Sequence, residues 1–267
     1  RAETLKIGFV TDWEYGTKKK YGYKLPKKAE KFLKTAVNHY NSVFQPDLVV
    51  GGGDYILSQG VKAKKAAKQL RHINNIFRKA NAPRRYCIGN HDLGHMSESV
   101  VKENLGIDSV HSSTDLNGIR VITLDTNEPD PRKDKEKYGM TGIVSDGELA
   151  WHEEKLNTSL PVIVFSHHSP VQTLSRINIY SADHVREVLE AHDNVVAVFS
   201  GHHAVNYSTE RNGINYVIIN SLVDKIAQGT FATINVEKNE ENLVSVRVDQ
   251  FGKKPATYNF SKTMLSN

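Results

Sequence analysis

The chain has 267 residues, of which 39% are hydrophobic and 24% are charged, as in an ordinary globular protein with a sizeable core. These proportions exclude a disordered chain. The single cysteine, Cys87, excludes an intramolecular disulfide, and no run of about 18 apolar residues is present that could span a membrane. The beginning of the chain leaves open both a cytoplasmic protein and one that is secreted or periplasmic after removal of a signal peptide.

The net charge of +5 is unevenly distributed. Residues 1–85 hold 19 Lys and Arg against 6 Asp and Glu, whereas residues 86–267 are net negative. This excess indicates either a solvated helix face with a lysine-rich loop or a basic rim that attracts an anionic substrate. Nucleic acid is disfavoured as a partner, because aromatic residues are sparse in the basic segments and no binding motif is present.

Short apolar runs alternate with amphipathic stretches along the first third, which is typical of strands that feed helices in an α/β protein. "LKIGFVT" (5–11) predicts a first strand, and the following helix is expected to begin near Pro26. "PDLVVGGGD" predicts a buried strand. An amphipathic helix is then expected over roughly 61–80, and "RRYCIGNHD" predicts the next strand.

The same pattern continues after residue 118, where "IRVITLDTN", "PVIVFSHH" and "NVVAVFSGHH" predict three more strands. Ser145 and Glu148 have the spacing of a capping box and predict the start of a helix. The runs "INYVIINS", "FATINV" and "LVSVRV" predict antiparallel strands that complete a second sheet. We therefore expect a single α/β domain over residues 1–267, with two mixed sheets at the centre and helices outside.

Polar side chains follow six of the predicted strands, where residues distant in sequence converge in open α/β sheets. Carboxylate, amide and imidazole groups without cysteine favour Mn, Mg, Fe or Zn over a thiolate site. Two such ions would acidify water and stabilise charge on phosphoryl oxygens, so hydrolysis of a phosphate ester fits this chemistry best. The residues are Asp12 and Glu14, Asp54, Asn90 with His91 and Asp92, Asp125, His167 with His168, and His202 with His203.

The motifs "FVTDWEYG", "LVVGGGD", "CIGNHD", "VFSHH" and "FSGHH" resemble those of the calcineurin-like metallophosphoesterase family in order and approximate spacing. The resemblance implies a four-layer α/β/β/α sandwich of two mixed sheets flanked by helices. It also implies a metal-dependent phosphoesterase, in which a metal-bound hydroxide attacks a phosphate monoester or diester. The expected partner is an anionic phosphoester, such as a nucleotide or another small molecule.

The resemblance also implies roles for individual residues. Asp12 would bind a first metal ion and Asp54 would bridge two ions. His91 would contact the phosphate and protonate the leaving group as general acid, and Asp92 would orient its ring. The coordination of the second ion would be completed by Asn90, His167 and His202, with His167 preferred to His168.

The chain departs from the family pattern at two positions, and both belong to the first metal site. Glu14 stands in place of the His of D-x-H, and Ala204 in place of the second His of G-H-x-H. Three outcomes are open. Glu14 binds the ion through oxygen and favours Mn²⁺ or Mg²⁺ over Zn²⁺; only the second site fills; or His203 takes the place of Ala204.

The number of divalent ions expected per chain is therefore one or two, with manganese expected first and Mg, Fe or Zn as alternatives. An emptied first site would favour a different function. The protein would then be a catalytically impaired family member that binds a phosphorylated ligand or a single metal ion.

Overall fold

The computed structural model describes residues 3–129, 140–171 and 179–265. The helices of the described residues are α1 (Ala29–His39), α2 (Ala63–Phe77), α3 (Glu98–Leu105), α4 (Asp146–Leu156) and α5 (Ala182–Glu190). The strands are β1 (Glu3–Val10), β2 (Leu48–Gly51), β3 (Arg84–Tyr86), β4 (Ser112–Leu116), β5 (Ile119–Leu124), β6 (Gly142–Ile143), β7 (Val162–Ser166), β8 (Ile179–Tyr180), β9 (Val195–Ser200), β10 (Tyr207–Arg211), β11 (Ile214–Ile218), β12 (Ala232–Lys238), β13 (Leu243–Gln250) and β14 (Ala256–Thr263).

Two six-stranded sheets form the centre of the molecule. The first has the order β14-β13-β12-β1-β2-β3, with β1, β2 and β3 parallel and the other three strands antiparallel. The second has the order β10-β11-β9-β7-β5-β4, with a parallel centre and antiparallel edge strands. Strands β6 and β8 form a separate parallel pair. The predicted pair of mixed sheets is therefore confirmed.

The two sheets pack face to face, and helices cover their outer faces. Phe9 of β1 meets Phe165 of β7 with ring centroids 5.0 Å apart, in a buried cluster that joins both sheets. Burial of each such side chain stabilises the fold by about 1.5–3 kcal/mol. Leu33 of α1 packs in a second cluster beside the first sheet, and Leu189 of α5 packs in a third beside the second sheet. This order of layers is the predicted α/β/β/α sandwich.

Most predicted elements occur with small shifts of their ends. The helix expected near Pro26 opens with a 3-10 turn at Pro26–Lys28 and continues as α1, since proline fits the first turn of a helix. The second amphipathic stretch becomes α2, three residues shorter at its end than expected. Half of the predicted capping box forms, because the backbone N–H of Glu148 donates to Ser145 Oγ at 3.1 Å, whereas the Glu148 carboxylate accepts the N–H of Asp125 at 3.0 Å.

The C-terminal tail corrects one prediction. Only β11 of the three predicted tail strands joins the second sheet, and it pairs with β9 in parallel. Strand β12 instead pairs antiparallel with β1, and β13 follows it, so both extend the first sheet. Alternation of apolar residues indicates a half-buried strand but does not indicate which sheet it joins. The sequence pattern therefore could not make this choice.

Candidate metal centre

The turns that follow β1, β2 and β9 have an unusual backbone. Asp12, Glu14 and Asp54 have φ angles of 53°, 42° and 56°, and His202 and Ala204 have φ angles of 68° and 50°. Residues other than glycine rarely adopt this left-handed conformation, and it clusters at functional sites where the surrounding structure holds it in place. Among the described residues, five of the ten non-glycine residues with positive φ lie in these turns.

Backbone hydrogen bonds join the turns after β1 and β2. The N–H of Asp12 donates to the carbonyl of Gly53 at 2.9 Å, and the N–H of Glu14 donates to the carbonyl of Asp54 at 2.8 Å. These bonds fix the relative positions of the three acidic residues, which come from segments about forty positions apart in the sequence. The predicted convergence of strand ends is therefore built into the backbone.

Two glycines permit this close approach. A Cβ atom on Gly89 would lie 2.1 Å from Asp54 Oδ1, and one on Gly201 would lie 2.4 Å from Asp12 Oδ2. Both distances are far below van der Waals contact, so any other residue would displace a carboxylate. Glycine is required here because the backbone passes directly beside these groups. This explains the first residue of "GNHD" and of "GHH" in physical terms.

The predicted ligands converge in three overlapping groups. In each group, one ligand atom from every member lies within 4.8 Å of the others. Asp54 and His167 each belong to two groups, and Nε2 of His167 lies 3.1 Å from Asp54 Oδ2 without the geometry of a hydrogen bond. Two donors this close, both facing one point, are expected around a shared cation. The groups are Asp12, Asp54 and His167; Glu14, Asp54 and His91; and His167, His168 and His202.

Hydrogen bonds orient the donor atoms of this cluster. Nδ1 of His167 donates to the carbonyl of Gly52 at 2.7 Å, which leaves Nε2 as a lone-pair donor on the side of Asp54. Oδ2 of Asp12 accepts from Thr11 Oγ1 at 2.6 Å and from the N–H of His202 at 2.9 Å. These bonds are of the kind that holds ligand groups in position around a metal ion.

Asn90, which the sequence analysis named as a ligand, offers a further oxygen beside this cluster. The residue is buried, and its Oδ1 atom has no hydrogen-bond partner among the described residues. An unsatisfied buried oxygen is costly in a folded protein unless an ion or water satisfies it. Its neighbour His91 donates its backbone N–H to Asp54 Oδ1 at 2.8 Å, so Asn90 is held beside the same carboxylate.

The electrostatics of the cluster favour a cation. Burial lowers the pKa of His167, but the carboxylates of Asp54 and Asp12 raise it, with a net value of about 10. Burial, and then the charge of His167, lowers the pKa of His202 well below its usual range. Without an ion, a proton on Nε2 of His167 supplies positive charge beside these carboxylates, and a bound ion would displace that proton and accept the lone pair. A divalent ion would supply the same positive charge, and the carboxylate, amide and imidazole donors fit Mn, Mg, Fe or Zn.

His91 faces the same carboxylates but is held differently from the expectation. Its Nε2 atom lies 3.7 Å from Glu14 Oε1, and its Nδ1 atom lies 3.0 Å from Gln59 Nε2. The carboxylate of Asp92 instead accepts three backbone N–H groups, from Gly89, Asp54 and Tyr55, at 2.8–2.9 Å. The ring of His91 is therefore positioned by Gln59. Asp92 holds the backbone of the two loops that carry Asp54 and His91.

Glu14 has a partner that sequence analysis missed. Its Oε1 atom accepts a short hydrogen bond from Nζ of Lys24, and the side chains are 2% and 8% exposed. Burial lowers the pKa of Lys24, but the Glu14 carboxylate raises it above its usual value, so the ammonium stays charged. Lys18, Lys19 and Lys20 in the same loop are exposed. No sequence signal distinguishes Lys24 from these neighbours.

Asp125 and Asn127 brace the loops of the centre, and His168 is held by its second ring nitrogen while Nε2 belongs to the group with His167 and His202. Nδ1 of His168 lies 2.7 Å from Thr126 Oγ1, and Asp125 Oδ1 accepts the N–H of Asn127 at 2.9 Å. Asn127 also donates its side-chain amide to the carbonyl of Ile88, directly before Gly89. The converging groups of described residues do not include His203.

The sequence model of the calcineurin-like phosphoesterase family matches residues 5–206, which is most of the chain. The chain belongs to the calcineurin-like phosphoesterase family. The family predicted from the motifs is confirmed. A search of curated protein sequences found no match.

Solved structures share the fold of this calcineurin-like phosphoesterase. A dimetal phosphatase from Danio rerio has a TM-score of 0.80 at 14% identity, over 98% of this chain and 100% of that chain. GAP50, the anchor in the inner membrane complex of Plasmodium, has a TM-score of 0.61 at 11% identity, over 99% of this chain and 90% of that chain. At these identities the likeness shows the fold alone. Within the described segments, no helix has the length and apolar character needed to cross a membrane.

Proposed function

We propose that this calcineurin-like phosphoesterase hydrolyses a phosphate monoester or diester of a small anionic molecule with the help of a divalent metal ion. The observation that carries the proposal is the convergence of Asp12, Asp54 and His167, all buried, with ligand atoms within 4.8 Å of one another. Buried carboxylates and imidazoles in this arrangement are costly without a cation. The backbone N–H of His91, bound to Asp54, ties the proposed proton donor to the same cluster.

The residues proposed to hold the ion are Asp54, Asn90, His167 and His202, with Asp12 beside them. When bound, a divalent ion would polarise phosphoryl oxygens and acidify water at neutral pH. The contribution of the protein is to fix the donors before the ion arrives. The hydrogen bond from His167 to Gly52 and the bonds to Asp12 support this part of the proposal.

We assign the proton transfer to His91. Its Nδ1 is occupied by Gln59, so its Nε2 is the atom that faces the acidic cluster. In its imidazolium form, the ring can pass the Nε2 proton to the oxygen of the departing group, which leaves a neutral alcohol and a neutral imidazole. The three N–H groups bound by Asp92 keep the loop of His91 in register with Asp54.

An anionic substrate is supported by the loop between β1 and α1. This loop carries Asp12 and Glu14, and its lysines 18, 19, 20, 27 and 28 are exposed. A surface of one charge sign raises the local concentration of opposite charge near the centre. These lysines support the basic rim, which was one of the two interpretations of the charge distribution, beside a solvated helix face with a lysine-rich loop.

Hydrolysis assays with the full chain test the proposal. The protein is stripped with a chelator, reconstituted with Mn²⁺, and assayed with p-nitrophenyl phosphate and bis-p-nitrophenyl phosphate, followed by a panel of nucleotides. We expect turnover that disappears on chelation and in Asp54→Asn. Equal turnover in the parent and in Asp54→Asn would contradict the proposal, because it would show that the activity does not need this centre.

A second candidate function is favoured by the ion pair between Glu14 and Lys24. This pair lies where the family pattern has a ligand of the first ion, which is consistent with an impaired member that binds a phosphorylated ligand or one ion. The variant with Glu14→His, Lys24→Met and Ala204→His restores the family pattern. An inert parent together with an active variant would favour this second function, whereas an active parent excludes it.

A further inference from the structure

The residues of the first metal position do not fit a metal ion in this chain. The family pattern places ligands at positions 12, 14, 54 and 204. Position 204 carries a methyl group, which donates no electron pair, and Glu14 already accepts a hydrogen bond from Lys24. The expectation that Glu14 binds the ion is therefore opposed by a contact that the sequence did not reveal.

Backbone hydrogen bonds hold Lys24 and the residues on either side of it, so its contact with Glu14 is part of the fold. It closes a turn in which Tyr21 and Lys24 exchange two backbone hydrogen bonds of 2.9 Å, with Gly22 at φ 58°. The residues flanking Lys24 bind the segment 223–225, because Leu25 donates to the carbonyl of Val223 and the N–H of Lys225 donates to the carbonyl of Tyr23.

The same segment also holds the turn of Asp12. Ser221 Oγ donates to the carbonyl of Asp12 at 2.9 Å, and the N–H of Leu222 donates to the carbonyl of Thr11 at 3.1 Å. Residues 221–225 thus fix the position of Lys24 relative to the acidic cluster. The other lysines of the loop are exposed, whereas Lys24 is 7% exposed and turned inward.

A cation cannot replace Lys24 at low cost. An ion bound to Glu14 would break a buried ion pair and leave the Lys24 ammonium without a partner beside a divalent charge, and breaking such a pair is strongly destabilising. The ammonium itself supplies a positive charge and three N–H donors at this position. It therefore meets part of the charge demand of Asp12, Glu14 and Asp54 without a second ion.

We propose that the Lys24 ammonium takes the place of the first metal ion, so that the chain binds one divalent ion, at Asp54, Asn90, His167 and His202. Phosphoryl oxygens would then face one ion and one fixed ammonium. The inference rests on the proposed function only in that the centre binds a divalent ion.

Metal stoichiometry tests this inference independently of turnover. The parent is equilibrated with Mn²⁺, passed through a desalting column, and analysed for manganese per chain by elemental analysis. An electron paramagnetic resonance spectrum of the same sample distinguishes an isolated Mn²⁺ ion from a coupled pair. We expect one ion per chain and the spectrum of an isolated ion. Zero or two ions per chain would overturn the inference.

Lys24→Met tests whether the ammonium is what excludes the second ion. Removal of the charge frees Glu14, so together with Asp12 and Asp54 it offers three carboxylates to Mn²⁺. We expect two ions per chain in Lys24→Met and one in Lys20→Met, which removes an exposed lysine from the same loop. One ion in a folded Lys24→Met variant would overturn the inference.

Lys24→Arg keeps the positive charge, and it tests the same inference if Lys24→Met fails to fold. We expect one ion per chain in this variant, and two ions would overturn the inference. The assay separates this inference from the proposed function. One ion without hydrolysis of any phosphoester would leave the inference in place and remove the proposed function. Two ions per chain together with phosphoester hydrolysis would overturn the inference and support the proposed function.

Discussion

The Nδ1 atom of His91 lies 3.0 Å from the Nε2 atom of Gln59. The ring rotation set by this contact leaves Nε2 facing Glu14 and the acidic cluster, 3.7 Å from Glu14 Oε1. The amide of Gln59 therefore positions the nitrogen from which the protonated ring would release its proton. This contact joins the loop after β2 to the loop after β3, and it is the basis of the first two predictions.

His91→Asn is expected to lower turnover by about 10²–10⁴-fold, because the leaving oxygen would depart without a proton. The manganese content should stay at the value of the parent, since His91 is not assigned as a ligand. His95→Asn is the matched control, because His95 is an exposed residue of the same loop. Turnover of the His91 variant and the control at the same rate would remove His91 from the mechanism.

Gln59→Leu is expected to lower kcat by roughly 10-fold, since residues that orient a reacting group through one hydrogen bond typically contribute effects of this size. The KM should change little, because Gln59 is not proposed to touch substrate. Steady-state kinetics at saturating Mn²⁺ measure both values. A large rise in KM with unchanged kcat would show that Gln59 binds the substrate and does not position His91.

Asp54→Asn is expected to abolish stabilisation by metal. In the parent, Mn²⁺ at about 100 times its Kd should raise the free energy of unfolding by about 2.7 kcal/mol. Thermal unfolding with and without Mn²⁺ measures this gain, and Asp108→Asn, an exposed position, controls for loss of one carboxylate. If the Asp54 variant gained as much stability from Mn²⁺ as the parent, the ion would bind elsewhere.

Asp92→Asn is expected to destabilise the fold by about 1–3 kcal/mol. The carboxylate accepts three backbone N–H groups, and an amide presents one oxygen and one nitrogen in its place, so at least one buried donor loses its partner. Urea unfolding of the metal-free protein measures the loss. An unchanged free energy of unfolding combined with lost turnover would instead favour the ring-orienting role predicted from the sequence.

His152 should make stability sensitive to acid. It is fully buried in α4, and neither ring nitrogen has a hydrogen-bond partner within the described part of the chain. Burial, followed by the charge of His192, lowers its pKa to about 3. The unfolded chain binds the proton near pH 6.5, so the contribution of neutral His152 to stability is complete above that pH. It declines by about 1.4 kcal/mol per pH unit as the pH falls from 6.5 towards 3.

The comparison of His152→Leu with the parent isolates this contribution. Urea unfolding at several pH values should show the variant gaining stability relative to the parent as the pH falls below 6.5. Subtraction of the two curves cancels the other buried histidines, which are common to both proteins. His184→Leu, an exposed position in α5, is the control. A pH-independent difference for His152→Leu would contradict the prediction.

The sequence by itself determined the family and the layers, and it indicated the residues that we propose for the centre. Asp12, Asp54 and His167 could be found because each lies within three residues of the carboxyl end of a buried strand, where residues distant in sequence converge in α/β proteins. Gly89 and Gly201 strengthened the signal, since close approach of the backbone to a carboxylate leaves no room for a side chain. A polar residue after a strand and a glycine beside a carboxylate are local features of the sequence, so they can be recognised without knowledge of long-range contacts.

The tertiary structure alone decided which partners these residues have. Lys24 meets Glu14 because segment 221–225 positions its turn, Gln59 reaches His91 from another loop, and strands β12 and β13 join β1 and not the second sheet. Each of these contacts joins segments that are far apart in the chain. The type of a residue does not show which distant segment it will contact. A buried lysine and an exposed lysine look identical in the sequence, and only the packing around them distinguishes the two.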